Sequence, residues 1–234
     1  MSHFYVLVAG DDFEEQLAPF NEVDENYYDE EETDEDTGET YKYNPNTKWD
    51  WYEVGGRWSG ALRHRNGTSV DELPKKDFDL DALVQEARQN AYSLFDAYAP
   101  AFAGKEIPSW ESTVAAHNRK HDDARAAYDS HPVIRAIRDL EKAYGGFDAP
   151  HRLPWEQCLH SVFCGGDREA MAAQYMEQAG VPYAMLVNGE WFEKGTMGWF
   201  GISEGDKDDW PAQFRALLAD LSDDTTLTVV DCHI

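Results

Sequence analysis

Runs of apolar and β-branched positions predict β-strands near both ends of the chain. Residues 3–9 are mostly aromatic or aliphatic, which is typical of a buried strand. Residues 225–234 are rich in valine and threonine and are predicted to form the terminal strand. A further strand is predicted over 52–62, where Gly55 and Gly56 would form a bulge or a tight bend.

Helical spacing dominates the middle of the chain. Residues that favour N-caps precede several periodic segments, and glycine or proline stands near their ends. The pattern predicts helices over 80–98, 110–128, 133–144, 168–179 and 211–221. Asn188 and Gly189 separate two short β-rich segments, 182–187 and 190–193, and this pair is a strong hairpin signal. Residues 197–203 are predicted to continue the sheet.

The order of these elements predicts an α+β fold. The sheet would be antiparallel or mixed, with the N- and C-terminal strands in it, and a helical insertion would occupy about 78–146. A chain of 234 residues is long enough to bury a substantial core. We therefore predict a single α+β domain over residues 1–234, with an acidic mobile loop at 21–40.

The net charge narrows the range of partners. The chain has 46 acidic and 20 basic residues, which gives a net charge of −26. The first 40 residues contain 15 of these acids and no lysine or arginine. Such a surface repels phosphate backbones and anionic lipids, so we expect neither direct nucleic-acid binding nor membrane binding. The charge favours either a solvating surface or an acidic mimic that occupies a nucleic-acid-binding groove.

Several features favour a cytoplasmic location. Residues 1–9 lack the basic start and the long apolar stretch of a signal peptide. No segment approaches the ~20 apolar residues that a membrane span needs. The three cysteines, Cys158, Cys164 and Cys232, are an odd and sparse set, which suits reduced thiols better than disulfides.

The segment 44–60 has a composition that neither a core strand nor a solvated loop requires. Three tryptophans and a tyrosine are interspersed there with charged residues around a Gly-Gly pair. Flat rings, a guanidinium and accessible backbone N–H groups suit the recognition of a ring-bearing anion. We assign ligand binding to Lys48, Trp49, Asp50, Trp51, Tyr52, Gly55, Gly56, Arg57 and Trp58. The alternative is an aromatic sheet face on which Arg57 and Asp50 only form an ion pair.

A second aromatic and glycine-rich segment, 195–201, follows Trp191. Its glycines would allow the backbone to approach a ligand closely, and we assign Trp199 to the same ligand site. Five of the eight tryptophans lie in or near the two segments, which favours one shared aromatic cluster. The alternative is a core strand kinked by its glycines.

The end of the chain carries candidate catalytic residues. On a strand over 225–234, Asp231 and His233 lie on the same face. They could form a His–carboxylate general base or provide two metal ligands, and the alternative is a solvent-facing pair on a frayed strand. If the first and last strands pair, His3 would approach the same face. We expect this face and both tryptophan-containing segments to converge on one region of the sheet.

Other metal signals are weak. His117 and His121 have the i, i+4 spacing of helical metal ligands but lack the glutamate of zinc proteases. Cys158, His160 and Cys164 would need a further ligand, and their spacing fits no common zinc pattern. We therefore assign no metal, and the sequence identifies no cofactor.

Three segments together resemble a family of uncharacterised proteins from bacteriophages and actinobacterial genomes. They are NPNTKWDWYEVGGRWSG at 44–60, GTMGWFG at 195–201 and TLTVVDCHI at 226–234. The resemblance implies a phage or prophage accessory protein, and it implies no particular activity.

Two functional hypotheses follow. The first is an accessory protein in the host cytoplasm that binds a small nucleotide-like ligand by tryptophan stacking, at about 1–3 kcal/mol for each base, and by Arg57. A stronger form adds hydrolysis, with Asp231 and His233 as the base, for example to counter a nucleotide immune signal. The second is an acidic protein that inhibits a host nucleic-acid-binding protein by occupying its groove. The second hypothesis accounts for the net charge and leaves the tryptophans unexplained.

Overall fold

The computed structural model of the chain describes residues 2–34, 37–145, 153, 158–198 and 202–234. Backbone contacts divide the chain into two compact units, which are Met1–Leu83 with Gly180–Ile234, and Val84–Ala179. We call the first the sheet unit and the second the helical unit. In the described ranges, no helix is both long and apolar enough to cross a membrane.

The described strands all belong to the sheet unit. They are β1 (His3–Ala9), β2 (Glu30–Thr33), β3 (Thr40–Tyr43), β4 (Trp51–Val54), β5 (Leu62–Arg63), β6 (Ser69–Val70), β7 (Glu72–Pro74), β8 (Ala184–Val187), β9 (Glu190–Glu193), β10 (Thr196–Met197), β11 (Ser203–Glu204) and β12 (Thr226–His233). The main sheet has the order β4-β12-β1-β8-β9, and β7 pairs with the first half of β12. Because β1 is parallel to β8 and antiparallel to β12, the sheet is mixed and contains both terminal strands. The predicted α+β fold is confirmed.

Most of the helices form the helical unit. The described helices are α1 (Phe13–Leu17), α2 (Leu80–Phe102), α3 (Trp110–Ala116), α4 (His121–Ser130), α5 (Pro132–Ala143), α6 (Leu159–Val162), α7 (Arg168–Gln178) and α8 (Trp210–Asp220). The helical unit has its own core, in which Tyr98, Ile134, Ile137, Phe163 and Met171 are fully buried. Such a core is what allows a group of short helices to hold their positions.

Both faces of the main sheet are covered where β1 and β12 carry apolar side chains on either side. On one face, Leu7 and Val229 belong to a core that includes Phe214 of α8. On the other face, Val6 belongs to a core that includes Leu17 of α1. The central strands are therefore buried on both sides.

The predicted hairpin at Asn188 and Gly189 is confirmed. The two residues have positive φ values of 52° and 78°, and they join β8 to the antiparallel β9. Two consecutive left-handed residues are typical of a type I′ turn, whose twist suits paired strands.

The predicted end of α2 is wrong. The helix does not stop before Pro100 but continues to Phe102, with the proline inside it. Proline removes one helical hydrogen bond, and this cost is offset by the burial of Ala101 and Phe102 in the core of the helical unit.

The helix predicted over 110–128 is also wrong, because the segment forms two helices, α3 and α4. Asn118 and Arg119 lie between them with positive φ values of 52° and 61°. Left-handed residues end a helical hydrogen-bond pattern, so the chain has to start a new helix. The insertion predicted over about 78–146 corresponds to α2–α5, and the helical unit continues beyond it through α7.

The acidic segment 21–40, which the sequence predicts as a mobile loop, contains β2 and reaches the start of β3, its antiparallel partner. Tyr43 donates a hydrogen bond to Glu30, and Tyr41 donates one to Glu32. These cross-strand contacts favour a hairpin in a sequence whose composition is typical of a loop. Every residue of β2 is exposed.

Two strand predictions need correction. The strand predicted over 52–62 ends at Val54, where Gly55 and Gly56 make the expected tight bend into a 3-10 turn. The segment 197–203 does not continue the main sheet, because β10 and β11 form a separate two-stranded sheet. Residues 199–201 of this segment lie outside the described ranges.

Candidate functional site

A cluster of polar side chains lies on one face of the main sheet, where β1 begins and β12 ends. In the sheet register, His3 lies opposite His233, and His233 lies opposite Trp51 of β4. Asp231 precedes His233 by two residues and therefore points to the same face. The pairing of the first and last strands thus brings His3 to the predicted catalytic residues.

The cluster contains two histidine–carboxylate pairs. Nδ1 of His3 lies 2.9 Å from Oδ1 of Asp231, and Nδ1 of His233 lies 2.6 Å from Oδ1 of Asp50. The two imidazole rings are 5.0 Å apart between centroids and meet edge to face. We call these four residues the His–Asp cluster.

The sequence places the right residues on the right face but pairs them incorrectly. Asp231 and His233 do not bond to each other, because each finds a closer partner on a neighbouring element. Side chains two residues apart on a strand are farther from each other than cross-strand neighbours are. The proposed ion pair between Arg57 and Asp50 is absent as well, since the Asp50 carboxylate contacts His233.

Asp231 is held from two sides. Its side chain is almost completely buried, and Oδ2 accepts a hydrogen bond of 3.0 Å from the backbone N–H of Arg57. Gly56 permits this approach, because a Cβ atom there would lie 2.5 Å from the side chain of Asp231. Gly56 also has a φ of +49°, which favours glycine. Gly56 therefore allows the backbone of the turn to contact the carboxylate of Asp231.

A second carboxylate, Asp71, holds the other end of the same turn. It accepts hydrogen bonds from the backbone N–H of Gly60 and from the hydroxyl of Ser59. A Cβ atom on Gly55 would collide with it at 2.5 Å. Sequence reasoning missed Asp71, because an aspartate beside a short strand carries no local signal of a distant contact.

One nitrogen of the cluster is buried and unpaired. Nε2 of His233 is shielded from solvent and has no hydrogen-bond partner among the described residues. In the neutral tautomer whose Nδ1 donates to the Asp50 carboxylate, Nε2 carries a lone pair. A buried polar atom without a partner is costly, which makes Nε2 a candidate contact for a ligand.

Aromatic side chains border the cluster, and the backbone of Arg57 contacts it. Trp51 is 49% exposed, and its ring lies 6.2 Å from that of His3. Trp58 is half-buried and stacks on Tyr5 at 6.3 Å. The side chain of Arg57 is exposed and makes no ion pair with a described residue. Trp51 and Arg57 are therefore available to a ligand.

Other predicted ligand-binding residues lie elsewhere. Trp49 is 4% exposed in the core of the opposite face, where its indole N–H donates to the carbonyl of Leu17. Tyr52 lies on the same opposite face and donates to Glu14. Lys48 forms an ion pair of 2.8 Å with Glu193. Alternation along β4 separates Tyr52 from Trp51, whereas Lys48 and Trp49 precede the strand.

The segment 195–201 is also separate from the cluster. Met197 packs against the core of the opposite face, and the hydroxyl of Tyr183 donates to the carbonyl of Gly195. The predicted ligand-binding residue Trp199 lies outside the described residues. The expected convergence of all three segments is therefore wrong for the described part of 195–201, and only the first tryptophan segment and the C-terminal strand meet at the cluster.

Neighbouring titratable groups are kept neutral by burial. Burial, followed by the charge of Asp231, raises the pKa of the Cys232 thiol well above its usual value. Burial also raises the pKa of Tyr5. A protonated thiol is a poor nucleophile, so Cys232 is a packing residue. Within the described ranges, no group of three or more histidine, cysteine or acidic side chains is arranged to hold a metal ion.

Comparisons with known proteins add no family to this description. No protein-family model matches the chain, and no curated protein or solved structure matches it. The function has to be argued from the geometry of the site.

Proposed function

We propose that the protein is a phage-type accessory protein that binds a small nucleotide-like ligand at the His–Asp cluster and hydrolyses it. The observation that best supports this proposal is the pair of imidazole rings, whose centroids are 5.0 Å apart. Nδ1 of each ring is bonded to a carboxylate. In a bacteriophage protein, such an activity would act against a nucleotide signal of the host.

The paired histidines suit acid–base chemistry. Hydrolysis of a phosphoester forms a bond from phosphorus to the water oxygen and breaks the bond to the leaving oxygen. In this proposal the bound ligand displaces the groups that shield Nε2 of His233. One neutral imidazole then accepts the proton of the attacking water, and the second, protonated, donates a proton to the leaving oxygen. Asp231 and Asp50 orient the rings through Nδ1, as carboxylates do in other histidine-dependent sites.

The border of the cluster suits a nucleotide. The exposed ring of Trp51 offers a stacking surface, which is worth about 1–3 kcal/mol for a base. The guanidinium of Arg57 offers two parallel donors for a phosphate. The four residues of the His–Asp cluster alone would not select a nucleotide. In this proposal, Trp51 and Arg57 determine the class of ligand.

The test is a turnover and binding assay with a panel of cyclic and linear nucleotides. Product formation would be followed by chromatography, and binding by thermal shift. His3→Gln and His233→Gln are expected to lower turnover by about 100-fold or more, because each removes an acid–base group. Trp51→Ala with Arg57→Ala is expected to weaken binding at least 10-fold.

The matched control is His121→Gln, an exposed histidine of the helical unit, which should leave turnover and binding unchanged. Binding without turnover would reduce the proposal to a ligand-sequestering protein. If no nucleotide shifts the melting temperature or is consumed, the ligand site is wrong.

The acidic hairpin supports a second candidate function, inhibition of a host nucleic-acid-binding protein. The observation that favours it is the complete exposure of β2, where three consecutive glutamates follow Asp29. A basic groove would be attracted to this surface. Deletion of residues 22–39 should then abolish displacement of labelled DNA from such a host protein, measured by fluorescence anisotropy. If the protein still displaces the DNA after the deletion, the hairpin is not the inhibitory surface.

A further inference from the structure

The helical unit contains a cavity of about 200 Å³ that plays no part in the proposed activity. Its described lining consists of Trp110, Arg125, Tyr128, Asp129 and Arg138. Three of these residues lie at i, i+3 and i+4 on α4, so they share one face of that helix. Trp110 begins α3, and Arg138 comes from α5.

Two guanidinium groups border this cavity in a chain that has more than twice as many acids as bases. Arg138 makes a hydrogen-bonded ion pair of 3.1 Å with Glu141 on its own helix. Arg125 is exposed and makes no ion pair with a described residue, although Asp129 follows it by one helical turn. The lining therefore has two cations and one carboxylate. Guanidinium groups of this kind suit the planar or tetrahedral oxygens of a carboxylate or a phosphate.

The remaining wall is aromatic. Trp110 is half-buried and meets the ring of Tyr128 edge to face at 5.6 Å. Tyr128 is 3% exposed, and its hydroxyl accepts a hydrogen bond of 3.0 Å from the backbone N–H of Leu159. Tyr128 thus adds a second aromatic side chain to the lining. An apolar ligand group would find a complementary surface there.

We propose that this cavity binds a small organic anion, a phosphate or carboxylate group attached to a single flat ring. The guanidinium of Arg125 contacts the anionic group, Arg138 adds a second donor, and Trp110 packs against the ring. The volume is below the range of about 300–1,000 Å³ that is typical of drug-sized ligands, so one ring and one anionic group fill it. The site is additional to the His–Asp cluster and does not depend on it.

The experiment is isothermal titration of the full chain with phenyl phosphate. Inorganic phosphate, benzyl alcohol and benzylamine are the comparison ligands. Phenyl phosphate should bind at least 10-fold more tightly than each comparison ligand, because only it combines the ring with the anionic group. Arg125→Gln should weaken its binding at least 10-fold, and Arg138→Lys should weaken it less, because lysine keeps the charge and loses the planar fork.

The matched control is Arg135→Gln, because Arg135 is an exposed arginine of α5 that does not line the cavity. It should bind phenyl phosphate as the unsubstituted protein does, and all variants should keep their circular dichroism spectrum. Unchanged affinity in Arg125→Gln, or equal binding of benzylamine, would overturn the proposal. Absence of binding would overturn it as well. Loss of binding in Arg57→Gln would assign the phenyl phosphate to the His–Asp cluster and would also overturn it.

Discussion

At the scale of single residues, Asp231 connects three parts of the sheet unit. Its carboxylate binds His3 of β1 and the backbone of Arg57 in the turn after β4, and its own strand lies between them. A buried carboxylate is costly unless its oxygens are hydrogen-bonded. Both oxygens are bonded here, so the residue can stabilise the fold and orient a histidine at once.

Replacement of Asp231 by asparagine should destabilise the protein. An amide has only one acceptor oxygen, so when that oxygen accepts from the N–H of Arg57 the amide can only donate to Nδ1 of His3, and the charge-assisted hydrogen bonds of the carboxylate are lost. We expect a loss of about 1–3 kcal/mol in the free energy of unfolding, measured by urea denaturation. Glu53→Gln is the control, because Glu53 lies opposite Asp231 in β4 and is exposed. Equal losses in the two variants would contradict the role of the buried carboxylate.

Gly56→Ala should be more destabilising than an alanine at another left-handed glycine. The new Cβ would meet Asp231 at 2.5 Å, in addition to the cost of about 1–3 kcal/mol for a strained backbone conformation. Gly67→Ala is the control, since Gly67 has a φ of +89° and no atom within 4 Å of the position that its new methyl group would take. Thermal unfolding of both variants separates the collision from the backbone cost, and similar melting temperatures would argue against the collision.

The sequence identifies some of these residues and misses others for a physical reason. Alternation along β12 is local, so Asp231 and His233 could be placed on one face from the sequence. The bonds from His3 and Asp50 depend on the register between distant strands, which no local pattern specifies. Trp49 and Trp51 look equivalent in the sequence, and only the sheet shows that Trp49 is buried while Trp51 is exposed.

At the scale of elements, helix caps show how local chemistry fixes a boundary. Asp167 precedes α7, and its side chain accepts hydrogen bonds from the backbone N–H groups of Glu169 and Ala170. Asp209 precedes α8 in the same position but makes no side-chain cap bond. The same residue type thus has a different energetic role at two helix starts.

This difference leads to a prediction for the two caps. Asp167→Ala should lower the free energy of unfolding by about 0.5–2 kcal/mol, because two N–H groups lose their acceptor. Asp209→Ala should change it by less than about 0.5 kcal/mol. Chemical denaturation followed by circular dichroism provides the comparison, and a larger effect at Asp209 would refute the assignment of the caps.

Elements with local signals are the ones that the sequence predicts correctly. The Asn188–Gly189 hairpin and the cap at Asp167 depend on neighbours within a few residues. The continuation of α2 through Pro100 depends instead on burial of the following turn in a core. Burial is a property of the folded unit, so a rule about proline could not foresee it.

At the scale of the whole molecule, the helical unit is a single continuous segment within the sheet unit. The chain leaves the sheet unit after Leu83 and returns at Gly180. The two points lie close together, because a Cβ atom on Gly180 would be 3.2 Å from the side chain of Leu83. Adjacent ends are the arrangement in which an insertion can be removed without separating the elements around it.

Replacement of residues 84–179 by a short glycine–serine linker should therefore leave a folded sheet unit. We expect a cooperative thermal transition and a circular dichroism spectrum dominated by β-structure. The same deletion carrying Leu227→Asp is the control, since a charge in the buried core should prevent folding. An unfolded product from the simple deletion would show that the sheet unit needs the inserted segment.

The pairing of β1 with β12 also determines when the His–Asp cluster can form during synthesis. His3 and Asp231 are 228 residues apart in sequence, and contacts of such separation form slowly. The helical unit depends on a continuous segment and can be completed on the ribosome while β1 still lacks its antiparallel partner. The nascent chain thus exposes an edge of an apolar strand until residues 226–233 have been synthesised, and this interval is the stage at which aggregation competes most strongly with folding.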